Sequence, residues 1–220
     1  MEAAQVIHIK AIIDTVCPWC FIGKRRMEKA IHEFQLKNPN VTFYLHWLPY
    51  QLDPNRTQST IKLETYRRKF GKDEFDQQIA PKVISAAESV DIKLAFGGVI
   101  SNTFDSHRLI WWSKQFDKQN DMVERIFELY FEQNLDLSNH ELLAAAAEKA
   151  GLVKEKAFEF LQSDEGTKEV KELLQLNAFN QVNGVPHYII NDKYGVSGAQ
   201  EPATLIHVFE RIIKLESAGL

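Results

Sequence analysis

Asp14-Thr15-Val16-Cys17-Pro18-Trp19-Cys20-Phe21-Ile22-Gly23 holds both cysteines of this 220-residue chain. The residues before it, 6–13, alternate in the way that is typical of a largely buried strand. The residues after it repeat apolar side chains at helical spacing as far as Phe34. Pro18 suits the first turn of such a helix, where its missing N–H would have had no partner. The stretch therefore predicts a strand, a short loop and a helix that begins beside Cys17.

A cysteine at a helix start lies beside the unpaired N–H groups of the first turn, which favour its thiolate. The pKa of such a thiol commonly falls from about 8.5 to about 3.5–7.5. Because the thiolate is the nucleophile of disulfide exchange, we expect Cys17 to be the exposed, attacking sulfur. Cys20, one turn further in, would resolve the mixed disulfide, and Pro18 and Trp19 would tune the redox poise. Half of a zinc site and two buried structural cysteines are the alternatives; we predict no metal.

The remaining pattern predicts the order of the elements. A second strand over 41–49 completes a β–α–β opening with parallel strands. Helices dominate 61–182, a hairpin follows at 187–196, and Pro202 opens a last helix. Without the helical block, this α/β order is that of thioredoxin. We therefore expect a discontinuous thioredoxin-like domain, 1–60 with 168–220, and a helical insertion domain, 61–167.

A second candidate feature is Gly184-Val185-Pro186, which stands directly before a predicted strand. At this place in a thioredoxin fold a cis-proline faces the cysteine pair, and a cis bond before proline costs little. Val185 would then offer its N–H and C=O groups to an extended peptide or thiol substrate. The alternative is an ordinary trans proline at the start of a strand.

Composition excludes several classes of protein. A net charge of −4 argues against a protein built around nucleic-acid phosphates. The longest apolar run, Leu94–Ile100, has seven residues, whereas a membrane-spanning helix needs about 20. Glu2 and Lys10 do not fit a secretion signal, so we expect a cytoplasmic protein with no membrane partner. The basic cluster Lys24–Arg26 is interpreted as a solvated helix face.

With these residues in hand, the chain resembles the FrnE-like branch of the DsbA family. Four stretches carry the resemblance: Asp14–Gly23, Asn102-Thr103-Phe104-Asp105-Ser106-His107-Arg108-Leu109, Gly184-Val185-Pro186 and Val196-Ser197-Gly198-Ala199-Gln200. The family implies a thioredoxin fold with a large all-helical insertion. It also implies dithiol–disulfide oxidoreductase activity at Cys17 and Cys20, with Pro186 as the cis-proline. Protein or small-molecule disulfides would be the substrates, with no bound cofactor and with glutathione as a possible co-substrate, in a monomer or a homodimer.

The resemblance also suggests substrate-binding residues. Asn102 and His107 would line the cleft above Cys17, although a helix cap and a surface position are the simpler readings. Gln200 lies where a strand enters the last helix, and free N–H groups there could hold a carboxylate, as the same region does for the γ-glutamyl end of glutathione in kappa-class transferases. A plain N-cap is the alternative for Gln200. One departure is Ala11, which stands where thioredoxins and periplasmic DsbA proteins carry an acid, so another base or water must serve Cys20.

Two other functions stay open at this point. The first is a glutathione-dependent transferase or isomerase of the kappa-class type; those relatives replace the cysteine pair, so the two cysteines kept here argue against it. The second is a non-catalytic, peptide-binding chaperone that uses the same groove.

Overall fold

The computed structural model describes residues 5–217. The strands are β1 (Gln5–Ile13), β2 (Val41–Pro49), β3 (Thr60–Ile61), β4 (Val99–Ile100), β5 (His187–Ile190) and β6 (Tyr194–Ser197). The helices are α1 (Pro18–Lys37), α2 (Lys62–Phe70), α3 (Lys72–Glu74), α4 (Ala80–Glu88), α5 (Phe104–Ser113), α6 (Gln119–Phe127), α7 (His140–Lys149), α8 (Lys154–Gln162), α9 (Thr167–Phe179) and α10 (Pro202–Ser217). Glu2, which does not fit a secretion signal, lies outside the described residues.

The central sheet has four strands in the order β2-β1-β5-β6. β1 runs parallel to β2 and antiparallel to β5, and β5 and β6 form the expected hairpin. Ala11, in the middle of β1, lies opposite Trp47 on one side and Tyr188 on the other. The predicted β–α–β opening and the α–β–β–α ending are therefore confirmed, and together they form a thioredoxin fold.

Helices cover both faces of this sheet. On one face the rings of Phe34 (α1) and Phe209 (α10) lie 5.6 Å apart and pack edge to face, with Phe43 of β2 between them. On the other face α9 is tied to the end of β2, because the Asn177 side chain donates to the Pro49 carbonyl at 2.8 Å. No helix within residues 5–217 is long and apolar enough to cross a bilayer.

The insertion between β2 and α9 differs from the expected all-helical block in one detail. β3 and β4 pair as an antiparallel ribbon, with Thr60 opposite Ile100. Two-residue strands are too short to produce an alternating pattern, so they could not be predicted from the sequence. The rest of the insertion is helical, and we keep 61–167 as the proposed extent of this unit.

The interpretation of Lys24–Arg26 as a solvated face is wrong. Lys24 is 1% exposed and Arg26 is 7% exposed. Helix α6 covers α1 at Lys24, whose ammonium donates to Glu124 at 2.6 Å and to Glu28 at 2.7 Å. Arg26 lies against the segment before α10, where its guanidinium donates to the Ala199 carbonyl at 2.7 Å. The insertion therefore packs directly on the helix that carries both cysteines.

Candidate active site

The two cysteines lie at the start of α1, joined by one turn of backbone. Cys17 is the N-cap residue, in an extended conformation, and Pro18 is the first helical residue. The Cys17 N–H donates to the Asp14 carbonyl at 3.0 Å, and the Cys20 N–H donates to the Cys17 carbonyl at 3.0 Å. Both cysteines are free thiols. Pro18 and Trp19 are half-buried beside them.

The two thiols have different surroundings. Cys17 is 6% exposed and Cys20 is 0% exposed, so both thiols are buried, and the prediction that Cys17 is an exposed sulfur is wrong. The Cys17 Sγ donates to the Val185 carbonyl, in the loop before β5, at 3.6 Å. Burial raises the pKa of Cys20 well above its usual value, and a hydrogen bond with Cys17 adds to the effect. Cys20 therefore needs a proton acceptor before it can act as a nucleophile.

The loop that faces the cysteines contains a cis peptide bond between Val185 and Pro186. The Pro186 carbonyl accepts from the Gly198 N–H at 2.8 Å, which ties this loop to the segment before α10. Gly23 of α1 allows the loop to approach: a Cβ there would lie 2.9 Å from Pro186 Cγ and 2.5 Å from Tyr188 Oη. A glycine at this position is therefore a condition for the close contact between α1 and the Pro186 loop.

A family model described as a DSBA-like thioredoxin domain matches residues 8–210. The chain belongs to the DsbA-like thioredoxin family. Its place in the FrnE-like branch remains a prediction.

Two solved structures and one curated protein put this DsbA-like chain in context. The uncharacterized protein YwbO of Bacillus subtilis (strain 168) is 23% identical over 192 residues, which are 86% of this chain and 88% of that protein. A probable DsbA oxidoreductase from Streptomyces coelicolor, SCO1869, has a TM-score of 0.82 at 24% identity, covering 93% of this chain and 89% of that one. The cytosolic disulfide reductase DsbM from Pseudomonas aeruginosa, solved with GSH, has a TM-score of 0.62 at 13% identity, covering 94% and 100%. At these identities the structural likeness supports the fold.

Asn102 organises loops in this DsbA-like chain, and the cavity that it lines with Gln51 and Lys171 contains neither cysteine. Its side-chain oxygen accepts from the Phe104 N–H at 2.8 Å and from the Gln51 amide at 3.0 Å. Its side-chain nitrogen donates to the Arg56 carbonyl at 2.9 Å. These bonds occupy the amide, so the structure favours the loop-capping reading over substrate binding.

His107 and Gln200 also differ from their expected positions. The His107 ring is 2% exposed, and its Nε2 lies 3.3 Å from Asp14 Oδ1, so it faces the interior and does not line an open cleft. The Gln200 side chain donates to the Ser197 carbonyl at 2.7 Å. The N–H groups of Gln200 and Gly198 donate to backbone carbonyls, so neither is free for a carboxylate.

Sequence reasoning missed Asp14, which it treated as a loop residue. Asp14 is 1% exposed, its Oδ2 accepts from the Leu52 N–H at 2.7 Å, and its carbonyl accepts from the Cys17 N–H at 3.0 Å. The available signal was a carboxylate three residues before Cys17, directly after a buried strand. Asp14 is therefore a buried carboxylate that is tied by its backbone to Cys17 and by its side chain to the segment after β2.

Proposed function

We propose that this chain is a dithiol–disulfide oxidoreductase in which Cys17 attacks and Cys20 resolves. The observation that carries the proposal is the position of Cys17, which caps α1 and contacts the Val185 carbonyl of the cis-proline loop at 3.6 Å. Cys20, one turn inside, supplies the second thiol. Membership in the DsbA-like family supports the same chemistry.

The reaction runs in two exchanges. The Cys17 thiolate attacks one sulfur of the substrate disulfide, that bond breaks, and one substrate thiol leaves with a proton. Cys20 then loses its proton and attacks Cys17, so that the second substrate thiol leaves and a Cys17–Cys20 disulfide forms. A thiol reductant, for which glutathione is our candidate, returns the pair to the dithiol and becomes oxidised itself.

The surface beside Pro186 supports an extended peptide or a small thiol as substrate. A cavity of about 480 Å³ runs along this surface, lined by 180–187, Ser197 and Gly198. Backbone groups of such a loop bind a substrate chain without reading its side chains. The similar structure of DsbM, a cytosolic disulfide reductase solved with GSH, supports glutathione as co-substrate and the cytoplasm as the place of action.

The test is turnover of insulin and of a small model disulfide, with glutathione as reductant. We expect Cys17→Ser to fall to the uncatalysed rate, because the attacking thiol is removed and only the more deeply buried Cys20 remains. We expect Cys20→Ser to react once and then to accumulate a mixed disulfide that mass spectrometry detects. Each variant is the control for the other, since each removes one thiol from the same turn. Full turnover by Cys17→Ser would defeat the mechanism.

The same variants test the other two functions. A glutathione-dependent transferase predicts that conjugation of a model electrophile survives Cys20→Ser. A non-catalytic chaperone predicts that an unfolded peptide binds equally well when both cysteines are serine, and that the wild-type protein turns over no disulfide. The reduction potential of the Cys17–Cys20 pair then decides the direction of electron flow, with a strongly reducing value indicating a reductase.

A further inference from the structure

β2 is an edge strand of the central sheet. It pairs with β1 on one side, and no other strand of residues 5–217 lies on its outer side. At its two ends, the Asn40 carbonyl accepts from the Gln5 N–H at 3.1 Å, and the Tyr50 N–H donates to the Ile13 carbonyl at 2.8 Å. The even-numbered residues of β2 therefore face β1. The odd-numbered residues point their N–H and C=O groups outward, because successive residues of a strand alternate in direction.

Side chains close this outer edge at both ends. At Trp47, the Gln119 amide accepts from the backbone N–H at 2.9 Å and donates to the carbonyl at 3.0 Å, as a neighbouring strand would. At Val41, the backbone N–H donates to the Asn38 carbonyl at 3.0 Å, and the carbonyl accepts from the Gln35 amide at 3.0 Å. The chain therefore satisfies both ends of the edge by itself.

Phe43 and Leu45 lie between these closed ends. Within the part of the chain that the structure describes, no hydrogen bond reaches their outward N–H and C=O groups. Both side chains pack against the core, Phe43 on the rings of Phe34 and Phe209, so the edge is held in place. The gap therefore offers two donors and two acceptors at strand spacing, which is a template for another extended chain.

A groove opens in front of this gap, and we call it the β2 groove. It is a cavity of about 560 Å³, lined by residues 43–46, by one face of α1 and by the segment that leads into α6. Its two walls are formed by Glu28, Ile31, His32 and Gln35 on one side and by Lys114, Asp117, Gln119 and Asn120 on the other. The volume is within the range of ligand-binding clefts, and a gap of three residues is about 10 Å long.

The walls decide which kind of partner can reach the edge. The β2 edge of a second folded copy is flanked by the same two walls, so two such edges cannot meet, whereas a single extended chain is narrow enough to enter. Lys114 and Asp117 bring opposite charges to one wall, and Glu28 on the other already binds Lys24 at 2.7 Å. The groove therefore favours neither a strongly acidic nor a strongly basic ligand, and recognition depends on main-chain hydrogen bonds.

We propose that the β2 groove is a second binding site, in which a segment of an unfolded protein adds to β2 as an extra strand and pairs with Phe43 and Leu45. The groove is separate from the redox site, since neither cysteine lines it. Its effect on catalysis rests on the proposed function. An unfolded, disulfide-containing protein held at the groove stays at a high local concentration near Cys17, whereas a small disulfide gains nothing from it.

The first experiment changes the ligand and leaves the protein unchanged. The probe is a fluorescein-labelled, cysteine-free octapeptide of alternating valine and threonine with a lysine at each end, and its binding is measured by fluorescence anisotropy. A second peptide carries an N-methyl group on every internal amide. We expect the methylated peptide to bind at least about tenfold more weakly, because it has lost the donors that pair with β2. If apolar contacts carried the binding, the added methyl groups would preserve or strengthen it, and that result would overturn the proposal.

Leu45→Pro tests where the peptide binds. Proline removes the outward N–H of Leu45 and keeps the bonds to β1, which come from the even-numbered residues; proline is tolerated on the free side of an edge strand. Leu45→Ala is the matched control, because it also loses the leucine packing but keeps the N–H. We expect Leu45→Pro to bind the unmodified peptide about fivefold more weakly than Leu45→Ala does. Equal affinities would place the peptide elsewhere and overturn the proposal.

A wild-type measurement covers the case in which Leu45→Pro does not fold. The amides of Phe43 and Leu45 should exchange with D₂O at least about tenfold more slowly when the unmodified peptide is bound, while the amides of Tyr44 and His46 are already protected by β1. Unchanged exchange at Phe43 and Leu45 would refute the assignment. Protection of the same two amides by a concentration-dependent dimer, without peptide, would assign the edge to a second copy and refute it as well.

Turnover separates this inference from the proposed function. With wild-type protein, the unmodified octapeptide should raise the KM for reduction of scrambled ribonuclease A, an unfolded protein disulfide, about threefold and leave the reduction of Ellman's reagent unchanged. Equal inhibition of both substrates would mean that the peptide binds at the cysteines, against the proposal. If Cys17→Ser turns over normally, the proposed function fails, while peptide binding and amide protection still test the groove. If only the groove experiments fail, the oxidoreductase assignment stands.

Discussion

Helix α1 is held in different ways on its two sides. Towards the insertion, Phe21 stacks on Phe127 at 5.0 Å, and the buried Lys24 ammonium pairs with Glu124. Towards the Pro186 loop, the contact depends on the lack of a side chain at Gly23. On the insertion side the contact depends on buried charge and ring pairing, whereas on the loop side it depends on the space left at Gly23, beside an ion pair that is largely exposed.

Because of this difference, we expect one side of α1 to control the stability of the fold and the other to control the geometry of the active site. A buried ammonium that loses its carboxylate is strongly destabilising, so the insertion side should control the free energy of unfolding. The loop side carries the contact between Cys17 and Val185, where a small displacement changes the reacting geometry. The comparison predicts variants that mainly affect one property or the other.

The largest effect on stability is expected for Glu124→Gln, which removes the carboxylate charge that pairs with Lys24 between α6 and α1. Lys24 keeps Glu28, but its shorter contact is lost, and we expect the protein to lose about 3 kcal/mol of unfolding free energy. Turnover at a temperature where the variant is folded should change by less than about twofold. Asp121→Asn on the same helix is the control, since its exposed pair should contribute less than about 0.5 kcal/mol. Equal losses in the two variants would contradict the argument.

Lys62→Met tests a second buried lysine. Unlike Lys24, Lys62 binds a backbone carbonyl and not a carboxylate. Lys62 is 0% exposed, its ammonium donates to the Tyr130 carbonyl at 2.8 Å, and burial lowers its pKa to about 8. The unfolded chain has a lysine pKa of about 10.4, so it holds more protons between those values, and stability rises with pH in that window.

Lys62→Met lacks the ammonium group that titrates in this pH window. We expect the stability of Lys62→Met relative to wild type to fall by about 3 kcal/mol between pH 7 and pH 10.5, measured by urea unfolding. Lys168→Met, at an exposed lysine, reports the effect of net charge alone. A constant difference between Lys62→Met and wild type across this range would refute the prediction.

Gly23→Ala tests the loop side. The added methyl overlaps Pro186 and Tyr188, so we expect a loss of about 1–2 kcal/mol, reduced by the better helix propensity of alanine. Turnover should fall roughly tenfold, because the loop moves away from Cys17. Gly184→Ala is the control for stability, since a Cβ added at Gly184 would have no neighbouring atom within 4 Å. A Gly23→Ala variant with wild-type turnover would show that the close approach is dispensable.

The smallest effect is expected for Glu201→Gln, the ion pair on the loop side. Glu201 binds Arg26 at 2.6 Å, but its side chain is 64% exposed, whereas that of Glu124 is 10% exposed. We expect a stability change of no more than about 0.5 kcal/mol, measured by thermal unfolding beside Glu124→Gln. A loss as large as that of Glu124→Gln would mean that burial does not explain the difference.

Local patterns predicted the elements around the site well. The alternation over 6–13 and the helical spacing after Pro18 correspond to β1 and α1, and the hairpin corresponds to β5 and β6. These predictions worked because each depends on residues that are close together in the chain. The ribbon of β3 and β4 was missed because it joins two short segments that are distant in sequence.

Side-chain roles were harder to predict. Lys24 looked like a surface residue because its partner Glu124 is 100 positions away. His107 looked like a cleft residue because its contact with Asp14 spans 93 positions. Gln200 looked free because a loop pattern does not tell which carbonyls its N–H groups reach.

The sequence by itself determined the order of strands and helices, the position of the cysteine pair at a helix start, and Val185-Pro186 before a strand. All of these follow from near neighbours, through spacing and backbone preference. The tertiary structure decided what surrounds the Asp14 carboxylate, how far Cys17 is covered, and which lysines are buried. Those properties depend on how α5, α6 and the Pro186 loop pack against residues 14–24, and a local pattern does not determine the packing between segments that are far apart in the chain.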